Sequence, residues 1–97
     1  MEYTQAINSA PVVLVEFYAD WCPHCQRMMP VVDEIKELLQ GQANVVQLNI
    51  DLNKEASQAM NIDGTPTFIL YRHGKEVWRN VGEMDGQYLL DKIQSYL

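Results

Sequence analysis

The seven residues 12–18, Val-Val-Leu-Val-Glu-Phe-Tyr, are apolar at odd and even positions alike, with Glu16 the one exception. A strand wet on one face alternates, whereas one covered on both faces does not. This stretch is therefore expected to be a central strand. A helical period takes over at 23–39, where Met28, Val31, Val32, Ile35, Leu38 and Leu39 fall on one stripe. Pro30 inside it removes a hydrogen bond and should bend it, and Gly41 is placed to stop it. Residues 45–51 read as a second buried strand, so strand, helix and strand make a right-handed parallel unit.

The flanks carry weaker patterns. Tyr3, Ala6 and Ile7 have roughly helical spacing within 2–8, which Pro11 ends. Asn53 can cap a short helix through Met60 that packs Ala56, Ala59 and Met60. After a loop at 61–65, Pro66 opens a third strand over 67–71. Arg72-His73-Gly74-Lys75 predicts a tight hairpin with Gly74 at positive φ, so the strand over 76–81 runs antiparallel to the third. Gly82 breaks that strand. A last helix, 85–96, turns Leu89, Leu90, Ile93 and Leu97 to the sheet. The predicted order is α-β-α-β-α-β-β-α: one α/β domain over 1–97, a mixed four-stranded sheet flanked by helices on both faces.

Composition narrows the function. Ninety-seven residues suffice for one core and not for two. A net charge of −6 argues against nucleic acid or an anionic membrane as partner. The longest apolar run, 12–19, is far too short to span a bilayer. No basic-plus-apolar signal segment precedes it, and a cytoplasmic location is expected.

Both cysteines lie in Ala19-Asp20-Trp21-Cys22-Pro23-His24-Cys25. With Pro23 as the first helical residue, Cys22 is the N-cap, where unpaired N–H groups and the helix dipole favour an anion. The thiolate of Cys22 should gain from that position. Cys25, one turn on, is close enough to close a small disulfide ring. This is the arrangement of a redox dithiol, and two cysteines so spaced in a cytosolic protein suit redox use rather than a scaffold. A structural disulfide is the weaker reading, because a four-residue ring is worth roughly 2 kcal/mol against about 3 for fifteen residues. Zinc is another: Cys22, His24 and Cys25 are good ligand types, but no second such pair exists to complete four ligands, so a metal would have to bridge chains.

His24 falls in the first turn, within reach of the Cys22 sulfur. If protonated it favours the thiolate and makes the disulfide a stronger oxidant; otherwise it is a solvated histidine. Trp21 is either a core aromatic or part of an exposed rim. Trp78 reads as packing or a surface aromatic, and His73 as a surface turn residue.

Trp21-Cys22-Pro23-His24-Cys25, Pro30 in the following helix, Thr65-Pro66-Thr67 and Val81-Gly82 together resemble the thioredoxin family over nearly the whole chain. The resemblance implies a thioredoxin-like fold that lacks the family's first strand, leaving the 45–51 strand at an edge. It implies a protein disulfide oxidoreductase in which Cys22 is the nucleophile and Cys25 resolves the mixed disulfide. X-Pro bonds are cis in only about 5–6% of cases, but the family's cis-proline falls at Pro66. There the backbone of Thr65 can pair with an extended substrate. Trp21 and Gly82 would join this substrate-binding rim. No cofactor and no metal are implied. The partners would be protein disulfides and a thioredoxin-reductase-like or other thiol redox protein, acting on a monomer.

Two features depart from most thioredoxins. The pair Pro23-His24 resembles bacterial disulfide oxidants of the DsbA type, which also insert a helical domain for which 97 residues leave no room. Glu16 falls where thioredoxins place a buried Asp and DsbA-like proteins a Glu, below the second cysteine. The lysine that accompanies that Asp is matched here by Gln47. Glu16 should then hold its proton to high pH and relay the proton of Cys25. The plainer reading is a carboxylate that snorkels to solvent. The competing function is a binding module whose dithiol holds a metal or does not turn over.

Overall fold

Strand β1, Val12–Tyr18, lies inside the sheet and is buried from its first residue through Phe17. The computed structural model describes residues 2–97 and places the remaining elements around this strand. In chain order they are α1 (Tyr3–Ile7), β1, α2 (Pro23–Leu38), β2 (Asn44–Asn49), α3 (Lys54–Ala59), β3 (Thr67–Arg72), β4 (Lys75–Val81) and α4 (Gly86–Gln94). The sheet order is β2-β1-β3-β4, with β2 parallel to β1 and both β3 and β4 antiparallel to their neighbours.

The two-sided apolar run of β1 explains the layering. Val12 and Leu14 face Met28, Val32 and Ile35 of α2 and Leu89 and Ile93 of α4. Val13, Val15 and Phe17 face the other way, with Ile69 and Tyr71 of β3, under α1 and α3. Tyr3 ties α1 to that layer: its ring stacks on Phe17 at 5.9 Å, and its hydroxyl lies 2.6 Å from that of Tyr71. Trp78 is half-buried against the α2/α4 layer.

Several expectations shift at element ends. Leu38 is 56% exposed, because Leu39 at the C-cap takes the buried place 100° further round. Gly41, with φ +84°, lies in the turn beyond that cap and does not itself end the helix. β2 stops at Asn49 and not at 51: the Asn49 side chain accepts the Asp51 N–H at 2.8 Å and peels the chain from the sheet. Asn53 stands at the N-cap of α3, yet its side chain donates to the Asn49 carbonyl and caps nothing. In α3 the buried residue is Ser57, not Ala59, and its hydroxyl is satisfied by the Asn53 carbonyl at 2.8 Å. Leu97 lies past the end of α4 and is half exposed. In the β3–β4 turn His73 joins Gly74 at positive φ, the two-residue hairpin geometry that matches strand twist.

Candidate active site

β1 ends at Tyr18, and the Cys22 N–H donates to the Ala19 carbonyl at 3.2 Å, turning the chain from strand to helix. Cys22 keeps extended φ and ψ (−92°, 113°) and is the N-cap of α2, with Pro23 first in the helix. The Cys25 N–H donates to Cys22 Sγ at 3.2 Å, so the sulfur occupies the cap position a serine oxygen would fill. Both cysteines are free thiols, and both are nearly closed to solvent.

Their environments differ. Burial pushes the Cys22 thiol up, but hydrogen bonds with the Cys25 and Thr65 side chains and with the N–H groups of Cys25 and His24 outweigh it and bring the thiol below the ordinary value. Burial pushes Cys25 up to about 11, and its hydrogen bond with Cys22 adds to this. One thiol is poised to ionise and the other to stay protonated.

Thr65 and Pro66 come to the pair from the other side of the chain. The Cys22 thiol reaches the Thr65 carbonyl at 3.4 Å, and the Thr65–Pro66 peptide bond is cis. Gly82, at φ +99°, donates its N–H to the Pro66 carbonyl at 2.7 Å, so this glycine is fastened to the same loop. Trp21 is 66% exposed beside Cys22, and its indole N–H donates to the Asp51 carboxylate at 2.9 Å. It stands at the rim and not in the core.

His24 does not face the Cys22 sulfur as its sequence position suggested. Its Nδ1 is hydrogen-bonded to Glu83 Oε1, and what His24 contributes to Cys22 is its backbone N–H. Arg27, one turn along α2, donates through Nε to the same oxygen at 2.8 Å, with Nη2 beside it. Arg27 first and then His24 hold the Glu83 carboxyl down to about 2. Neither Arg27 nor Glu83 carries a sequence motif. The available signal was His24 and Arg27 three residues apart on one face, with no acidic residue three or four positions along α2 from either to pair with them.

Glu16 is only 2% exposed, and it shares its sheet face with Leu14. It does not snorkel. Its register partner Gln47 donates to its Oε1 at 3.0 Å. Burial raises the carboxyl above its ordinary value; the Gln47 hydrogen bond opposes this, and the charge of Asp33 adds to it. Among the described residues no three His, Cys, Asp or Glu side chains cluster so as to hold a metal ion.

The family model described as Thioredoxin matches residues 1–95. The chain belongs to the thioredoxin family. Its relatives include a thioredoxin of Rickettsia conorii, 35% identical over 92% of this chain and 85% of the other. Thioredoxin Y1 of Arabidopsis thaliana, chloroplastic, is 33% identical over 94% of this chain and 53% of its own length. Among solved structures, a mutant thioredoxin from Halobacterium salinarum superposes with a TM-score of 0.85 at 38% identity, over 98% of this chain and 82% of that one. The thioredoxin-like fold expected from the sequence is thus found, as a four-stranded mixed sheet flanked by helices. The thioredoxin-family chain is a thiol–disulfide oxidoreductase, a class that works on protein disulfides and exchanges electrons with thiol redox partners. No helix among the described residues is long and apolar enough to cross a membrane.

Proposed function

We propose that Cys22 is the attacking thiol and Cys25 the resolving thiol in reversible exchange with protein disulfides. The observation that carries this is the Cys22 sulfur at the N-cap of α2, 3.2 Å from the Cys25 N–H. The Cys22 thiolate attacks one sulfur of a substrate disulfide. That S–S bond breaks, and the leaving thiolate takes up a proton as the mixed disulfide forms. Cys25 then loses its proton and attacks Cys22 Sγ, which releases the second substrate thiol. The substrate gains two electrons and two protons, and the pair is left as a Cys22–Cys25 disulfide for a thiol redox partner to reduce.

Glu16 is the base we assign to the Cys25 proton, since a thiol held up to about 11 rarely ionises unaided near neutrality. Trp21, the Thr65–Pro66 segment and Gly82 line the place where substrate would lie. When Cys22 ionises, the Thr65 carbonyl loses the donor it now holds and is free to accept a substrate N–H, as in strand addition. The Pro23-His24 pair leads us to set the potential above about −270 mV, towards but short of the −120 mV of DsbA, in a cytoplasmic, monomeric protein.

Trapping tests the assignment. Cys25→Ser should accumulate a mixed disulfide with a protein substrate through Cys22, and Cys22→Ser should form none. A Cys22→Ser variant that still captures substrate would overturn the order of the two thiols.

A further inference from the structure

Glu83 follows Gly82, whose N–H is bonded to the Pro66 carbonyl at 2.7 Å, so its backbone is held against the loop that meets Cys22. The carboxylate does not drift in solvent. A single oxygen, Oε1, takes Nε and Nη2 of Arg27 and Nδ1 of His24. His24 and Arg27 both belong to the start of α2, where the helix dipole already puts positive potential on the Cys22 sulfur. Arg27 also feels the thiol, for the charge of Cys22 is among the lesser influences that raise its guanidinium.

We propose that Glu83 is a positioning residue for the Cys22–Cys25 couple: it holds the His24 ring and the Arg27 guanidinium on its carboxylate, limits the positive charge that Cys22 experiences, and so restrains the oxidising strength of the disulfide. This rests on the reading of the pair as a reversible dithiol. The helix terminus and Arg27 favour the thiolate, and Glu83 subtracts one unit of charge from that sum. A second effect is steric, because a ring bonded to Glu83 is not on the sulfur. Without the carboxylate the reduced, thiolate form gains, and two molecules of glutathione reduce the disulfide to the dithiol, giving oxidised glutathione, with a larger equilibrium constant.

The experiment measures that equilibrium constant, together with the pH midpoint of Cys22 alkylation, for the parent, Glu83→Gln and Arg27→Gln. Glu83→Gln should raise the constant about threefold, which converts to about 14 mV at 29.6 mV per tenfold, and should lower the midpoint. Arg27→Gln, which leaves the carboxylate and removes a cation, should move both the opposite way. Both shifts should shrink in 1 M salt, where the screening length falls to about 3 Å. A Glu83 that merely fastened the loop would change the melting temperature and neither readout. A folded Glu83→Gln with an unchanged or smaller constant overturns the proposal. Should that variant not fold, an unchanged constant in Arg27→Gln does the same. A parent pair that never equilibrates with glutathione instead overturns the reading of the dithiol itself.

Discussion

Gln47 Nε2 lies 3.0 Å from Glu16 Oε1, and this amide is the one hydrogen-bond donor recorded for the carboxylate among the described residues. An amide offers a dipole and not a charge. It therefore offsets only part of the cost of ionising an acid that is 2% exposed, and Asp33 adds to that cost. Between the ordinary value and the raised one, the folded protein thus keeps a proton at Glu16 that the unfolded chain gives up, and above the raised value the carboxylate is free to accept one. Stability should fall as pH climbs through about 4.5 and level off above the higher folded value. Glu16→Gln removes this slope. Denaturant unfolding should find the variant close to the parent in acid and more stable near neutral pH.

The same substitution bears on turnover. If Glu16 takes the proton of Cys25, resolution of the mixed disulfide should slow on the order of a hundredfold in Glu16→Gln, while the first attack by Cys22 stays near the parental rate. Single-turnover kinetics separate the two steps. Equal rates in both steps would leave Glu16 as a buried acid with no part in catalysis.

The two thiols should label at different pH. Hydrogen bonds to Cys22 outweigh its burial, whereas Cys25 is pushed up to about 11. Alkylation of the reduced protein across a pH series should modify Cys22 with a midpoint below the ordinary cysteine range and leave Cys25 largely unmodified at neutrality. Mass mapping of the labelled peptide decides this, and equal labelling of both residues would refute it.

What the sequence made legible follows from how local each cause is. β1 was readable residue by residue because a strand covered on both faces must be apolar at every position, and Glu16 stood out against that run. The N-cap of Cys22 was readable because a proline at the first helical position gives up no helix hydrogen bond, so Pro23 marks the start. Side-chain pairs across the fold were not. Glu83 meets His24 from 59 residues away, and Tyr3 meets Tyr71 from 68. No periodicity records such pairs, because each is made by two elements that the sheet order alone brings together. The position of His24 was right and its direction was not: a first-turn ring can turn to the sulfur or outward, and a carboxylate on another loop decided which. The end of β2 was missed for a subtler reason, since its strand-like composition continues past the point where Asn49 bonds back to Asp51.

The Tyr3–Tyr71 pair should be a measurable part of stability. Its hydroxyls lie 2.6 Å apart in a half-buried layer, and burial foremost, with their mutual bond, raises Tyr3; burial raises Tyr71 as well. Tyr3→Phe should cost about 1 kcal/mol, and a double-mutant cycle with Tyr71→Phe should return a coupling of about 0.5–1.5 kcal/mol. The pH sign follows from the raised values. Both rings stay protonated in the folded state where unfolded tyrosine ionises, so stability should decline as pH rises above about 10, and less so in the double variant. Additive single effects would show that the two hydroxyls do not act on each other.

Gly86 offers a case in which two general effects oppose each other. It is the first residue of α4, and replacing glycine by alanine in a helix commonly stabilises by up to about 1 kcal/mol. Here a Cβ would stand 2.6 Å from Val31 Cγ1, well inside contact distance. Val31 is a β-branched residue of α2, half-buried between the helices, so its methyl cannot swing aside as the tip of a long side chain would. Relief requires α4 to shift away from α2, and overpacking of that kind costs about 1–3 kcal/mol, more than the propensity returns. Gly86→Ala is therefore expected to destabilise the protein by about 1–2 kcal/mol. Gly86→Ala combined with Val31→Ala should recover the helix gain, less the loss of the valine methyls. Chemical denaturation of the parent, the two single variants and the double gives the coupling directly. A Gly86→Ala protein at least as stable as its parent would mean that the two helices separate at little cost, and that the close approach at Gly86 is not what sets their spacing.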